Sequence, residues 1–489
     1  MIRLLKALAA AVVLAVIAVP GMASAQARWL RAESEHLIVY SDGDERVLRD
    51  YIIELETFDA LLRAFHGVAS RTPPRKLPIY LVRDSDALRR VAPGMSDEIG
   101  GFYSASVDSI YGVAIRTRGD DHVMKHEYVH HFLLQNGQRG YPAWLNEGYA
   151  EYFAPTQVGP RTVNFGLISE GRAHNLVELR WVPMTDLITK RSGELSTPED
   201  RAMFYAQAWL LTHWFVADPA RRAKLNDYLT AIRGGADPVA AMEAVTGMPM
   251  AQLERTLRTY LAGGVVTSNV AASSFRRPEV TVAPMSAGAD AFLLTRERLG
   301  NSDAEAGAAL LPQLRADQAR WPDDPLGQLT LARGELEFGD RAAAEALLAR
   351  RIEADANDTE ALLLMAQARL KAREAEDADD QALTAEASGY LARVLQIDPG
   401  NYQALYQTAV ARNGAAGFPS AQDAQTLMLA FNRAPQVAEI RLYAAQVLIA
   451  RRIYPLAVTL LEPVANSPHA GPLVTAARSM LERARAEGG

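Results

Sequence analysis

His126-Glu127-Tyr128-Val129-His130 sets two imidazoles and a carboxylate at the spacing of a metal-dependent hydrolase. On a helix, residues four apart share a face, so His126 and His130 can reach one ion while Glu127, one residue along, leans over the open coordination position as a general base. A catalytic zinc usually takes three protein ligands and leaves the fourth position to water. The third is sought in Trp144-Leu145-Asn146-Glu147-Gly148-Tyr149-Ala150-Glu151-Tyr152, where Glu147 follows His130 after 16 residues (131 to 146). Glu151 lies four residues further on the same helical face, as a rival ligand or as an acceptor behind a histidine N–H. His131 points about 100° away from His130 and is read as packing.

The elements that must position these groups follow from periodicity. Asn136-Gly137, Arg139-Gly140 and Pro142 end the first helix, and 144–153 reads as a second that folds back and brings Glu147 beside the histidines. Upstream, 36–40 and 77–82 read as strands flanking a helix over 44–66, with 100–103 and 109–115 as a further strand pair. Downstream, 204–215 is a strongly apolar helix, and 236–261 holds two shorter ones broken at Gly247-Met248-Pro249. Residues 263–290, rich in Gly, Ala, Ser, Thr and Pro, read as a linker.

From 291 to 489 the texture repeats. Ala332 and Ala344, then Ala445 and Ala457, are small residues 12 apart where two helices would touch. This resembles the tetratricopeptide repeat, without the large aromatic usual early in each unit and with an acidic insertion at 371–381. Three to four helix pairs are expected.

The 489 residues exceed a single core, and 49 % hydrophobic with 22 % charged residues is ordinary globular composition. Arg3 and Lys6, an apolar run over 8–19 and Ala23-Ser24-Ala25 have the format of a secretory signal peptide, residues 1–25. The run falls short of the ~20 residues that span a bilayer, so no stable membrane insertion of the mature chain is expected. There is no cysteine, hence no disulfide, thiolate ligand or lipid-bearing cysteine. The composition and leader look bacterial, which points to a periplasmic or secreted protein. A net charge of -7 with interspersed signs gives no basic patch and argues against nucleic acid.

With both site helices in view, residues 30–262 resemble the gluzincin metallopeptidases, specifically the minimal peptidase MA-like proteins and more distantly the alanyl aminopeptidases. The specific part is 126–152. The resemblance implies an α+β zincin-like catalytic domain, with an α/β part over 26–118 and a helical zinc-site part over 119–262, followed by an all-α TPR-like domain. It implies one Zn2+ per chain held by His126, His130 and Glu147, with Glu127 as base. It also implies a tyrosine that stabilises the oxyanion, for which Tyr205 is the positional match, although the Lys-Gly usual beside it is missing. The Gly-x-Met-Glu-Asn segment that recognises a free N-terminus in the aminopeptidases is absent, so endopeptidase action is expected instead.

Three functions follow. The first is a zinc peptidase acting on peptide or protein, with repeats that recruit substrate or a protein partner. The second is a non-catalytic interaction module in which the repeats carry the function. The third is a zinc amidase acting on cell-wall peptides.

Overall fold

A computed structural model describes residues 29–488 apart from 70–72, 97–98, 117–121, 138–139, 376–379 and 468–470. The leader read at 1–25, Arg139 of the turn and part of the acidic insertion lie outside the described residues. The first strands are β1 (Leu30–Glu33), β2 (Leu37–Ser41), β3 (Leu77–Val82), β4 (Gly101–Ala105) and β5 (Ile110–Ile115), with α1 (Glu45–His66) and α2 (Ser85–Arg89) between them. Asp44 caps α1 by accepting from the amides of Arg46 and Val47, and Gly67 ends it in the left-handed region at φ 65°. The central strands run parallel, β2 with β3 and β3 with β5, and are buried on both faces. Alternate side chains of β3 therefore serve two cores. Ile79 and Leu81 pack towards α1 and the helix that carries His126 and His130, while Tyr80 and Val82 pack on the opposite face.

The helical part holds α3 (His122–Asn136), α4 (Ala143–Phe153), α5 (Glu170–Glu178), α6 (Met184–Thr189), α7 (Pro198–Val216), α8 (Pro219–Arg233), α9 (Pro238–Thr246) and α10 (Met250–Ala262). Short strands β6 (Gln157–Val158) and β7 (Thr162–Phe165) follow α4. The expected break between α9 and α10 is present, and Gly247 makes it at φ 73°.

Residues 263–290 are not a free linker. They contain β8 (Ser268–Ala271), which pairs with β7, and β9 (Thr281–Pro284), which pairs antiparallel with β1. The large sheet therefore runs β4-β5-β3-β2-β1-β9, with β4 and β9 at its edges. Exposed edge strands of four residues carry little apolar alternation, which is why their composition reads as loop, and Pro284 is tolerated at an edge.

The C-terminal part is an array of eleven helices among the described residues: α11 (Ala289–Gly300), α12 (Ala304–Arg320), α13 (Pro325–Phe338), α14 (Arg341–Ala354), α15 (Thr359–Ala375), α16 (Asp380–Ile397), α17 (Tyr402–Arg412), α18 (Ala421–Arg433), α19 (Ala438–Ala450), α20 (Tyr454–Ala465) and α21 (Pro472–Gly488). That exceeds the three to four pairs expected, because most units lack the aromatic that would mark them. Ala332 and Ala344, on α13 and α14, and Ala445 and Ala457, on α19 and α20, are wholly buried where consecutive helices meet.

The array is bound to the rest of the chain at both ends. Helix α11 covers the second sheet face, where Tyr80 donates to Glu297 at 2.6 Å and Asn301 donates to the Tyr111 hydroxyl at 2.7 Å. Gln403 donates to the carbonyls of Val107 (3.1 Å) and Asp108 (2.9 Å). Arg191 donates to the Ser467 carbonyl at 2.6 Å and to that of Ala465. The buried cores of α17–α21 and of α3 and α4 form one continuous cluster.

Candidate metal centre

Helix α3 is anchored by its inner face and presents its outer face to the site. Lys125 is buried and donates to Glu54 at 2.6 Å and to the Thr156 carbonyl at 2.8 Å, Tyr128 donates to Asp59 at 2.9 Å, and Val129 and Phe132 enter the core. These contacts fix the rotation of the helix and with it the direction of His126, Glu127 and His130. The helix stops at Asn136, whose amide donates back to the Phe132 carbonyl, and α4 begins after Pro142, whose carbonyl accepts from Leu145 and Asn146.

Glu147 is brought to the histidines by a close approach of α4 to α7. A Cβ on Gly148 would lie 2.0 Å from Thr212 Oγ1 and 2.6 Å from the Ala208 carbonyl oxygen, so only glycine permits this spacing. Gly148→Ala is expected to push α4 off α7, to destabilise the chain by about 1–3 kcal/mol and to weaken metal retention; urea denaturation and metal titration of the same sample check both. A variant with unaltered stability and metal affinity would show that the helix spacing does not set the site.

The three expected ligands converge. His126 Nε2 lies 3.2 Å from Glu147 Oε2, His130 Nε2 lies 3.6 Å from the same oxygen, and the two imidazole nitrogens are 3.2 Å apart. Donors about 2.0–2.1 Å from a tetrahedral zinc are separated by roughly 3.3 Å, so this spacing fits the ion without rearrangement. Glu147 is 0 % exposed, and neither of its oxygens accepts a hydrogen bond of good geometry despite the nearby imidazoles. A buried carboxylate so placed calls for a cation.

The surrounding charges agree. Burial opposes ionisation of Glu147, yet His130 and His126 hold its carboxyl well below the usual carboxylate range. Burial likewise opposes protonation of His126, but Glu147 and Glu151 carry its imidazole well above the ordinary value. Glu151 stands behind His126, with Oε1 3.4 Å from Nδ1, the nitrogen facing away from the donor cluster. It is also gripped by Arg172 through two bonds of 2.8 and 2.6 Å. Against the cost of burial, Arg172 and His126 bring the Glu151 carboxyl down to about 2. This geometry sets Glu151 behind His126, at Nδ1, and Glu147 on the side that the Nε2 atoms of both histidines face.

Glu127 faces a cavity of about 370 Å3 that His130 and Tyr103 also line. His131 turns to the Tyr103 hydroxyl, 3.0 Å away, and burial pushes its imidazole down to about 3, as befits a packing residue. Tyr205, on α7, has its ring 6.4 Å from that of His126, its hydroxyl 3.3 Å from Ser192 Oγ, and the Arg172 guanidinium 4.9 Å over its ring. Burial pushes its hydroxyl up to about 12, so it remains a proton donor near neutral pH. Tyr103 fell within the strand read at 100–103 but was given no role, and Arg172 gave no signal in the sequence, since it belongs to no motif and lies on a helix too short to show a clear period.

A family model described as a protein of unknown function, DUF1570, matches residues 121–233, which contain His126, Glu127, His130, Glu147, Glu151 and Tyr205. No curated protein matches the chain. Among solved structures, a thermophilic TPR protein from Thermus thermophilus is similar at 16 % identity and a TM-score of 0.34, over 40 % of this chain and 100 % of that one.

Proposed function

We propose that the protein is a zinc-dependent metallopeptidase of gluzincin type, acting outside the cytoplasm as an endopeptidase. The observation that carries this reading is the convergence of His126, His130 and Glu147 at tetrahedral donor spacing, with Glu127 on the wall of the adjoining cavity. Zinc held there supplies Lewis acidity, polarising a carbonyl and lowering the pKa of a water molecule towards neutrality. Glu127 accepts the proton of the attacking water and passes it to the departing amine. Tyr205 donates to the oxyanion that develops on the carbonyl oxygen. Arg172 and Glu151 hold His126 and Tyr205 in register through one shared guanidinium. The leader-like N-terminus supports export, and the interspersed charge supports peptide over nucleic acid as substrate.

The deciding experiment is elemental analysis of the purified chain together with hydrolysis of an unfolded protein and of peptidoglycan fragments, before and after chelation. About one zinc per chain, and cleavage of the unfolded protein that chelation removes and zinc restores, is the expected result. Cleavage of the cell-wall fragments alone would favour the amidase, and failure to hold stoichiometric metal would end the hydrolase reading.

A further inference from the structure

The cavity beside the metal centre has two walls of different origin. Tyr103, Glu127, His130 and Asn146 form one, and α19–α21 with the turn before α19 form the other. The array therefore completes the site. In that second wall lies Arg441, 1 % exposed. Its Nε donates to the Pro435 carbonyl at 2.5 Å, its Nη1 reaches the Leu460 carbonyl at 3.4 Å, and its guanidinium stacks 4.8 Å from the centre of the Phe431 ring. Among the described residues Nη2 has no hydrogen-bond partner, and neither has the buried Oε1 of Gln436 on the same wall. No carboxylate among the described residues compensates this cation, and burial brings its pKa down to about 10.

A buried charge without a counter-charge is costly, and a guanidinium is shaped to grip a carboxylate through parallel N–H donors. Beside it the cavity is apolar, lined by Leu133, Leu134, Ala438, Val464, Leu473 and Val474. We propose that Arg441 binds a carboxylate of the substrate in the cavity it shares with Glu127 and His130, selecting peptides that carry an acid next to an apolar side chain. The proposal rests on the peptidase reading for its consequence in turnover, and on the cavity alone for binding. The array would then act in selection at the site itself, besides any recruitment at a distance.

The test uses the full chain. Binding of N-acetyl-leucine and of N-acetyl-leucinamide is measured by calorimetry, with and without zinc, in the unmutated chain and in Arg441→Gln and Arg441→Lys. The acid is expected to bind the metal-free chain about 10-fold or more tightly than the amide, with the difference lost in Arg441→Gln and partly kept in Arg441→Lys. Comparing acid with amide on the unmutated chain needs no variant to fold. Equal binding of acid and amide overturns the proposal, and so does acid binding that depends on zinc and ignores Arg441→Gln, since the carboxylate would then sit on the metal. Peptides ending in a free acid, in an amide, or in an amide with an internal Glu separate a terminal from a side-chain carboxylate. Acid binding that survives while no peptide is cleaved would count against the peptidase and leave the Arg441 site standing.

Discussion

Glu147→Gln is expected to strip zinc from the protein while leaving its fold intact. The substitution keeps the volume of a wholly buried side chain and removes a negative charge that both histidine Nε2 atoms face. Loss of an orienting partner behind a ligand costs about 10–100-fold in metal affinity. Loss of a direct ligand should exceed the upper end of that range. Glu151→Gln provides the comparison, because Glu151 meets His126 at Nδ1 and should fall within the 10–100-fold window. Competition against a zinc-binding dye gives both affinities, and thermal denaturation supplies an independent reading. At zinc a hundredfold above its Kd, the unmutated chain gains about 2.7 kcal/mol, a gain Glu147→Gln should lack. Without metal, the variant should be less stable than the unmutated chain near neutral pH, since it removes the carboxylate that the buried imidazoles hold ionised and leaves His126 with Glu151 alone. If Glu147→Gln kept its zinc and Glu151→Gln lost it, the third ligand would be Glu151.

The local parts of this arrangement were legible in the sequence, and the long-range ones were not. Helix α1 announces itself through apolar residues recurring near every 3.6 positions after a capping aspartate, and β3 through its run of apolar residues bounded by turn formers. Helices α3 and α4 could be placed from Asn136-Gly137, Pro142 and the histidine spacing alone. By contrast, the pairing of Leu30 with Pro284 joins residues far apart in the chain, and nothing in either strand announces its partner. The same holds for the site. His126, Glu127, His130 and Glu147 stand out by their spacing, whereas Arg172 and Arg441 become informative only when folding sets one against Glu151 and leaves the other, among the described residues, without a carboxylate partner beside the cavity. The stretch read as a linker was misjudged for the same physical reason, since exposed edge strands look like coil until their partner is known.

Glu127→Gln is expected to separate metal binding from chemistry. The side chain takes no part in the ligand cluster and faces the cavity beside His130, so the amide should leave zinc content unchanged. It cannot accept the proton of the attacking water, and general acid–base catalysis typically contributes about 10²–10⁴-fold, so kcat should fall by that order with KM little altered. Tyr205→Phe tests the other end of the same step. Its hydroxyl, protonated at neutral pH like any tyrosine and raised further by burial, can donate, and loss of one oxyanion donor typically costs about 10²–10³ in kcat. Groups that act together on one transition state are not additive, so the double variant should lose less than the product of the two single losses. Multiplicative losses would assign Tyr205 to a separate step, and an active Glu127→Gln with full zinc would require another base on the cavity wall.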